Sequence, residues 1–149
     1  ARVISSCAML ASRPTASSSG STHAGLAYRF HGTSTKVIGI SADPDPDGEL
    51  AADIADLCGT LNGLTGQNKT IVVSDIDLRM DYCGAAYGIP SAEGDAAMRR
   101  FAKREGIVLD PVYTAKAAAG LLDLIESGAI GGRTLFWHTG GLPTLFATD

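Results

Sequence analysis

Three stretches of this 149-residue chain set residues of useful chemistry beside turn residues. The first runs from Ser17 to Gly25 as SSSGSTHAG. Small residues lead there into a helix, and a helix start carries backbone N–H groups with no partner inside the helix, at the positive end of the peptide dipole. Ser19, Gly20, Ser21 and Thr22 could therefore surround an anion, and phosphate suits such a start. The run is neither a Walker loop nor a GxGxxG loop, and its other local reading is a solvated serine-rich turn.

The second stretch, DPVYTAK from Asp110 to Lys116, presents the phenol of Tyr113 and the hydroxyl of Thr114 at a helix start behind a rigid proline. A phenol with an ordinary pKa of about 10 is a poor acid or base unless a neighbouring cation stabilises the phenolate, so a site using Tyr113 needs an iminium or ammonium group nearby. The alternative is a tyrosine packed at a helix entrance. The third stretch is HTGG from His138 to Gly141. At the carboxyl end of a strand its glycines let backbone approach a flat ligand, and Thr139 could hydrogen-bond a ring nitrogen; an ordinary strand-to-helix turn reads equally well. His138 reads as a core residue and His23 and His31 as structural or exposed, since none sits in a triad pattern with a nucleophile.

The elements that must position these stretches alternate. Thr22 to His31 reads as a short helix stopped by Gly32, and it leads into a strand from Lys36 to Ser41 with the continuous apolar pattern of a parallel sheet. After the break DPDPDG at Asp43 to Gly48, the spacing of Leu50, Ile54, Leu57, Cys58 and Leu61 predicts a helix ended by Gly63. Ile71 to Val73 reads as a second buried strand, followed by a long loop from Ser74 to Pro90. Ser91 caps the next helix, whose apolar side is Ala97, Met98, Phe101 and Ala102 and whose stop is Gly106. Thr114 is expected to cap a helix over 115–127 that buries Ala118, Leu121, Leu122 and Ile125 and ends at Gly128. Thr134 to His138 is the last strand. The pattern predicts an α/β fold: a three-layer, open, mostly parallel sheet with helices on both faces and ligands at the carboxyl ends of its strands. Ala1 to Pro14 reads as strand or helix alike.

Composition narrows the function classes. Twelve basic against sixteen acidic side chains leave a formal charge of −4. No basic run marks a nucleic acid as partner, and no apolar run approaches the roughly 20 residues that span a bilayer. A soluble, cytoplasmic protein is expected. The three cysteines, Cys7, Cys58 and Cys83, are widely spaced and suggest neither a disulfide framework nor a metal site. A chain that starts at Ala1 rather than Met is expected to be a fragment, with 1–14 unassigned and 15–149 forming one ligand-binding α/β domain.

Four segments in this order and spacing resemble the D-cysteine desulfhydrase and 1-aminocyclopropane-1-carboxylate deaminase family of pyridoxal-phosphate enzymes: GSTHAGL at Gly20 to Leu26, AYGIP at Ala86 to Pro90, EGIVLDPVYTAK at Glu105 to Lys116 and LFWHTGGLP at Leu135 to Pro143. The resemblance spans about Thr15 to Ala147 and implies the carboxyl-terminal part of the tryptophan-synthase-β type of fold, with pyridoxal 5'-phosphate as cofactor. Carried over residue by residue, it makes Ser19, Gly20, Ser21 and Thr22 the phosphate cradle. Tyr113 becomes the phenol facing the substrate and Tyr87 a second aromatic beside it. Thr114 and Thr139, with Gly140, would lie near the pyridine ring.

Deaminases that this chain resembles tend to hold glutamate and leucine where Thr114 and Thr139 stand. A glutamate keeps a pyridine nitrogen protonated and deepens the electron sink that ring opening needs, whereas a neutral hydroxyl leaves a weaker sink that suffices for β-elimination. The resemblance therefore implies a D-cysteine desulfhydrase, which takes D-cysteine to pyruvate, ammonia and sulfide, with the deaminase as alternative and a non-catalytic α/β binding domain as an alternative of another class. A small amino-acid substrate and a homodimeric parent enzyme are implied. The chain departs from the family at Ala115, where glycine is usual, at Asp77 to Ala86, and at Ala1 to Arg13, which does not resemble the strand expected there. The family's Schiff-base lysine lies upstream of this stretch; Lys36, Lys69 and Lys103 match nothing catalytic and Lys116 matches a helix residue. The chain alone is expected to be inactive.

Overall fold

The computed structural model describes residues 2–6, 20–138 and 140. Four strands, β1 (Arg2–Ser6), β2 (Lys36–Ile40), β3 (Asp77–Arg79) and β4 (Thr134–Trp137), form one sheet in the order β3-β2-β1-β4. All three pairings are parallel, with Ile4 opposite both Ile38 and Phe136, and Ile38 opposite Asp77. Four helices, α1 (Ser21–Phe30), α2 (Leu50–Thr65), α3 (Ala92–Glu105) and α4 (Thr114–Glu126), supply the crossovers that parallel strands require.

Strand β2 shows how the layers form. Its side chains alternate between faces. A Cβ added at Gly39 would lie 2.6 Å from Nδ1 of His23 in α1, whereas Ile38 and Ile40 pack on Ala117, Leu121 and Leu124 of α4. Ala24 and Tyr28 of α1 join Leu50, Ile54, Ala55 and Cys58 of α2 in a core on the first face. On the second face α3 lies against α4 through the small residues Ala97, Ala118 and Ala119, and a Cβ on Gly94 would already touch that of Ala115 at 3.4 Å. Helices thus cover both faces, as the alternating pattern predicts.

Several boundaries differ from the sequence reading. Arg2–Ser6, which reads as strand or helix alike, is a central strand paired on both sides. Ile71 to Val73 is not a buried strand: Val72 and Val73 are half exposed, and the amide of Val72 donates to the Asp75 carboxylate at 3.0 Å in a 3₁₀ turn over Val73–Asp75. With those amides engaged locally, the strand forms instead at Asp77–Arg79, inside the presumed loop. Helix α2 runs through Gly63 and ends at Gly66, which takes the left-handed conformation with φ 67°. Its Leu57, like Ala102 of α3 and Ile125 of α4, is exposed, and Leu124 is buried instead. Ser91 does cap α3, its hydroxyl accepting from the amide of Gly94 at 3.0 Å, and Gly106 ends that helix with φ 66°.

Candidate functional site

Strand order locates the site. The chain steps from β1 to β2 to β3 in one direction with α1 and α2 on one face, then returns past β1 to β4 with α3 and α4 on the other. The direction of winding reverses between β1 and β4, and the crevice beyond the carboxyl ends of such a pair is where open α/β sheets hold ligands. The chain leaves β1 at Ser6 and β4 at Trp137, and Ser5 lies opposite Trp137.

Gly20 and the start of α1 follow β1. Gly20 is buried, has φ 60°, and a Cβ there would lie 2.4 Å from Cγ1 of Ile54, so both backbone and packing require glycine. Its carbonyl accepts from the amide of Ala24 at 2.8 Å, which closes the first turn of α1. No acidic residue stands in that turn, and Arg29 in the last turn complements the dipole. Ser21 is exposed and Thr22 half-buried at the start of α1, a place where helix amides and hydroxyls suit an anion. Ser19, the fourth residue expected in this cradle, lies outside the described residues.

The turn before α4 is built on Asp110, which is fully buried. Its carboxylate accepts from the amides of Val112, Tyr113 and Thr114 at 2.8 to 2.9 Å and from the Thr114 hydroxyl at 2.6 Å. Asp110, not Thr114, therefore satisfies the helix start. Thr114 was expected near a ring nitrogen, but it is 1% exposed, donates its hydroxyl proton to Asp110 and accepts from the Asp110 amide at 2.8 Å. Its polar atom faces the turn because the carboxylate is the stronger acceptor at hand.

The same turn aims Tyr113 at Tyr87. The two hydroxyls are hydrogen-bonded to each other, and the rings stand 5.9 Å apart at 59°. Burial, then the bond to Tyr87, pushes the Tyr113 phenol well above its ordinary pKa, so it stays protonated across the physiological range. The resemblance set Tyr87 beside Tyr113, and the structure joins the two phenols across 26 residues by a hydrogen bond.

Beyond β4 the described residues are His138 and Gly140; Thr139 lies outside them. His138 is exposed rather than part of the core, its Nε2 lies 3.4 Å from the carbonyl oxygen of Val108, and its Nδ1 accepts from the Gly140 amide at 3.3 Å. The exit of β4 thus lies beside the run leading into Asp110. His23, in contrast, is fully buried, and burial, partly opposed by Asp77, pushes its pKa down to about 4.

Lys116 is the residue that sequence reasoning passed over. It is fully buried, and its Nζ donates to the carbonyls of Ala42 at 2.9 Å and Ala86 at 3.1 Å. Burial lowers its pKa, with Cys83 and Asp43 opposing. A lysine within the apolar row AKAAAGLL was the available signal. Among the described residues no group of three or more His, Cys, Asp or Glu could hold a metal ion, and no helix is long and apolar enough to cross a membrane. A cleft of about 600 Å³ between α3 and α4, bordered by Asp81, Tyr82, Glu93, Arg100, Asp123 and Glu126, contains none of the residues expected at the site.

A parallel sheet with helices on both faces and a winding reversal between β1 and β4 defines the class as an open, doubly wound α/β fold. Residues 14–140 match the family described as pyridoxal-phosphate dependent enzyme, and the chain belongs to that family. It is 42% identical over 136 residues to a D-cysteine desulfhydrase of Klebsiella pneumoniae, covering 89% of this chain and 40% of that protein. It is 37% identical over 130 residues to a 1-aminocyclopropane-1-carboxylate deaminase of Methylobacterium nodulans, covering 85% and 38%. A solved structure of an ACC deaminase homologue superposes with a TM-score of 0.74 at 30% identity, over 93% of this chain and 39% of that one. The chain thus spans about two fifths of the length of these relatives.

Proposed function

We propose that this chain is the part of a D-cysteine desulfhydrase-like lyase that holds the phosphate of pyridoxal 5'-phosphate and presents a phenol to the substrate. The observation that carries the reading is the phenol of Tyr113, set on the Asp110 turn next to the exit of β4 and paired there with the phenol of Tyr87. Gly20, Ser21 and Thr22 fit the cofactor phosphate through amides and hydroxyls, with Ser19 and Thr139 assigned by resemblance alone. Gly140, with φ 127°, lets the backbone pass close to a flat ring.

When bound, pyridoxal phosphate supplies the electron sink that stabilises negative charge at the substrate α-carbon. This chain's residues do the rest of what is proposed here. The first turn of α1 anchors the phosphate, and Tyr113, oriented by Tyr87, keeps a proton on its phenol oxygen and offers it as a hydrogen bond to the departing sulfur. A raised pKa keeps the phenol protonated, which suits a hydrogen-bond donor and rules out a role as base. The identities of Thr114 and Thr139 support elimination over ring opening; with the structure, Thr114 acts there as a neutral residue whose hydroxyl belongs to the Asp110 turn.

The chain alone is proposed to be inactive. It has four lysines. Lys36 opens β2 at the amino end of the sheet, the Lys69 amine donates to the carbonyl of Tyr28, Lys103 is exposed on α3, and the Lys116 amine is sealed between two carbonyls. None is placed to form the cofactor's Schiff base. A homodimeric, cytoplasmic parent enzyme acting on a small amino acid completes the proposal.

Titration of pyridoxal phosphate into the chain, followed by Trp137 fluorescence, tests the site: saturable quenching that Ser21→Asp weakens at least tenfold supports it, and quenching without saturation refutes it in favour of a non-catalytic domain. Pyruvate formed from D-cysteine by the isolated chain would refute the inactivity. A longer protein that contains this chain and turns over 1-aminocyclopropane-1-carboxylate but not D-cysteine would make the deaminase the correct reading, which the deaminase relatives already give a footing.

A further inference from the structure

We infer that Lys116 is a positioning residue for the tyrosine pair, tying the loop that carries Tyr87 to the carboxyl end of β2 and so setting the contact with Tyr113. The inference rests on the proposed role of that pair.

Tyr113 and Lys116 are three residues apart at the start of α4, on neighbouring positions of one helical face. The Lys116 amine donates in two directions. One acceptor, Ala42, follows β2, and the other, Ala86, is the residue immediately before Tyr87. A single side chain therefore connects the helix that bears one phenol with the loop that bears the other, and anchors both to the sheet. Tyr87 lies in a segment with few other ties: among the described residues its neighbours 84–86 and 88–90 are exposed, and a turn bond from the amide of Ile89 to the carbonyl of Ala86 holds them only locally. The loop passes close over the lysine. Gly84, at φ 72°, has room for a Cβ only at 3.8 Å from Cε and Nζ of Lys116 and 3.4 Å from Cβ of Ser91.

A fully buried ammonium costs free energy that a methionine of similar length would not, so a lysine is disfavoured as mere filling. Its two carbonyl partners turn that cost into a defined loop position, since charge-assisted hydrogen bonds are directional and shorten the range of conformations they allow. Burial lowers the Lys116 pKa, and Cys83 and Asp43 oppose that shift in favour of the charged form.

The test uses the 149-residue chain with its four tyrosines carrying a ring label for NMR, assigned by the single variants Tyr87→Phe and Tyr113→Phe. Lys116→Met is expected to move the ring signals of Tyr87 and Tyr113 toward solvent-exposed values and to speed amide exchange of residues 87–89 at least tenfold. Tyr28 and Tyr82 should be unaffected. Lys116→Arg, which keeps N–H donors for both carbonyls, should restore at least half of both effects. Unchanged Tyr87 and Tyr113 signals in a folded Lys116→Met protein would overturn the inference. So would a shift of all four tyrosines, or loss of folding in both variants, since the lysine would then be a general core group. None of these readouts needs cofactor, so failure here leaves the cofactor proposal standing, and failed cofactor binding with the expected tyrosine shifts would remove the pair's proposed role while leaving the geometric hold of Lys116.

Discussion

Replacing Asp110 by alanine is expected to be among the most destabilising single changes in this chain. The carboxylate of Asp110 is the acceptor for three backbone amides and one hydroxyl, all within 2.9 Å, at a position with no solvent exposure. Loss of the cap alone costs about 1–2 kcal/mol. The amides of Val112 and Thr114 are buried, and each buried donor left without an acceptor costs about 1–3 kcal/mol more. The Tyr113 amide is half-buried, so water offsets part of its loss. The sum is about 3–8 kcal/mol, a large fraction of the roughly 5–15 kcal/mol that holds a domain folded. At about 2–4 °C per kcal/mol for a domain of this size, melting should fall on the order of 10 °C. Asp110→Asn should lie between the two proteins, because its amide group turns a donor toward one pair of donors while its oxygen still serves the other. Urea unfolding followed by circular dichroism measures both variants. A loss below about 1 kcal/mol for Asp110→Ala would refute the argument that this carboxylate organises the turn, and with it the reason Tyr113 points where it does.

Two further outcomes follow from the α1 face of the sheet. His23 is fully buried with a pKa pushed down to about 4 from an unfolded value of 6.5, so its neutral form contributes stability that is full above about pH 6.5 and is lost as pH falls toward 4. The loss is on the order of 3 kcal/mol, and denaturant unfolding at intervals of pH should show that slope in the natural chain and a much shallower one in His23→Gln. Adding one methyl group tests the packing against the same ring: Gly39→Ala sets a Cβ 2.6 Å from Nδ1 of His23 and should destabilise by about 1–3 kcal/mol. Gly59→Ala, in the middle of α2 with nothing within 4 Å, should stabilise by about 0.5–1 kcal/mol, and equal signs for the two in thermal melts would contradict the packing described.

Local signals located the helices and some of their ends, although α2 runs past Gly63 to Gly66 and Asp110 rather than Thr114 serves the start of α4. Ser91, Gly106 and the apolar row of α4 act within a few residues, through a cap, a left-handed glycine and a helical stripe, and so they can be read along the chain. The segments from GSTHAGL to LFWHTGGLP carry the family in the same way, as strings of neighbouring residues. Strands were harder. Asp77–Arg79 is short and polar because it lies at the sheet edge, and Ile71 to Val73 looked more strand-like than the residues that pair. Whether a segment joins a sheet depends on a partner elsewhere in the chain rather than on its own composition.

The sequence by itself determined that this chain alternates helix and strand, that a small-residue helix start could take an anion, and which family its motifs belong to. Only the tertiary structure decided that β1 is central, that winding reverses between β1 and β4, that Thr114 serves Asp110, and that the Lys116 amine reaches the carbonyls of Ala42 and Ala86. The acceptors of Lys116 lie 74 and 30 residues away along the chain. A hydrogen bond of that span leaves no periodicity or spacing behind in the sequence, because its geometry exists only after the sheet has brought the two carbonyls to the same end.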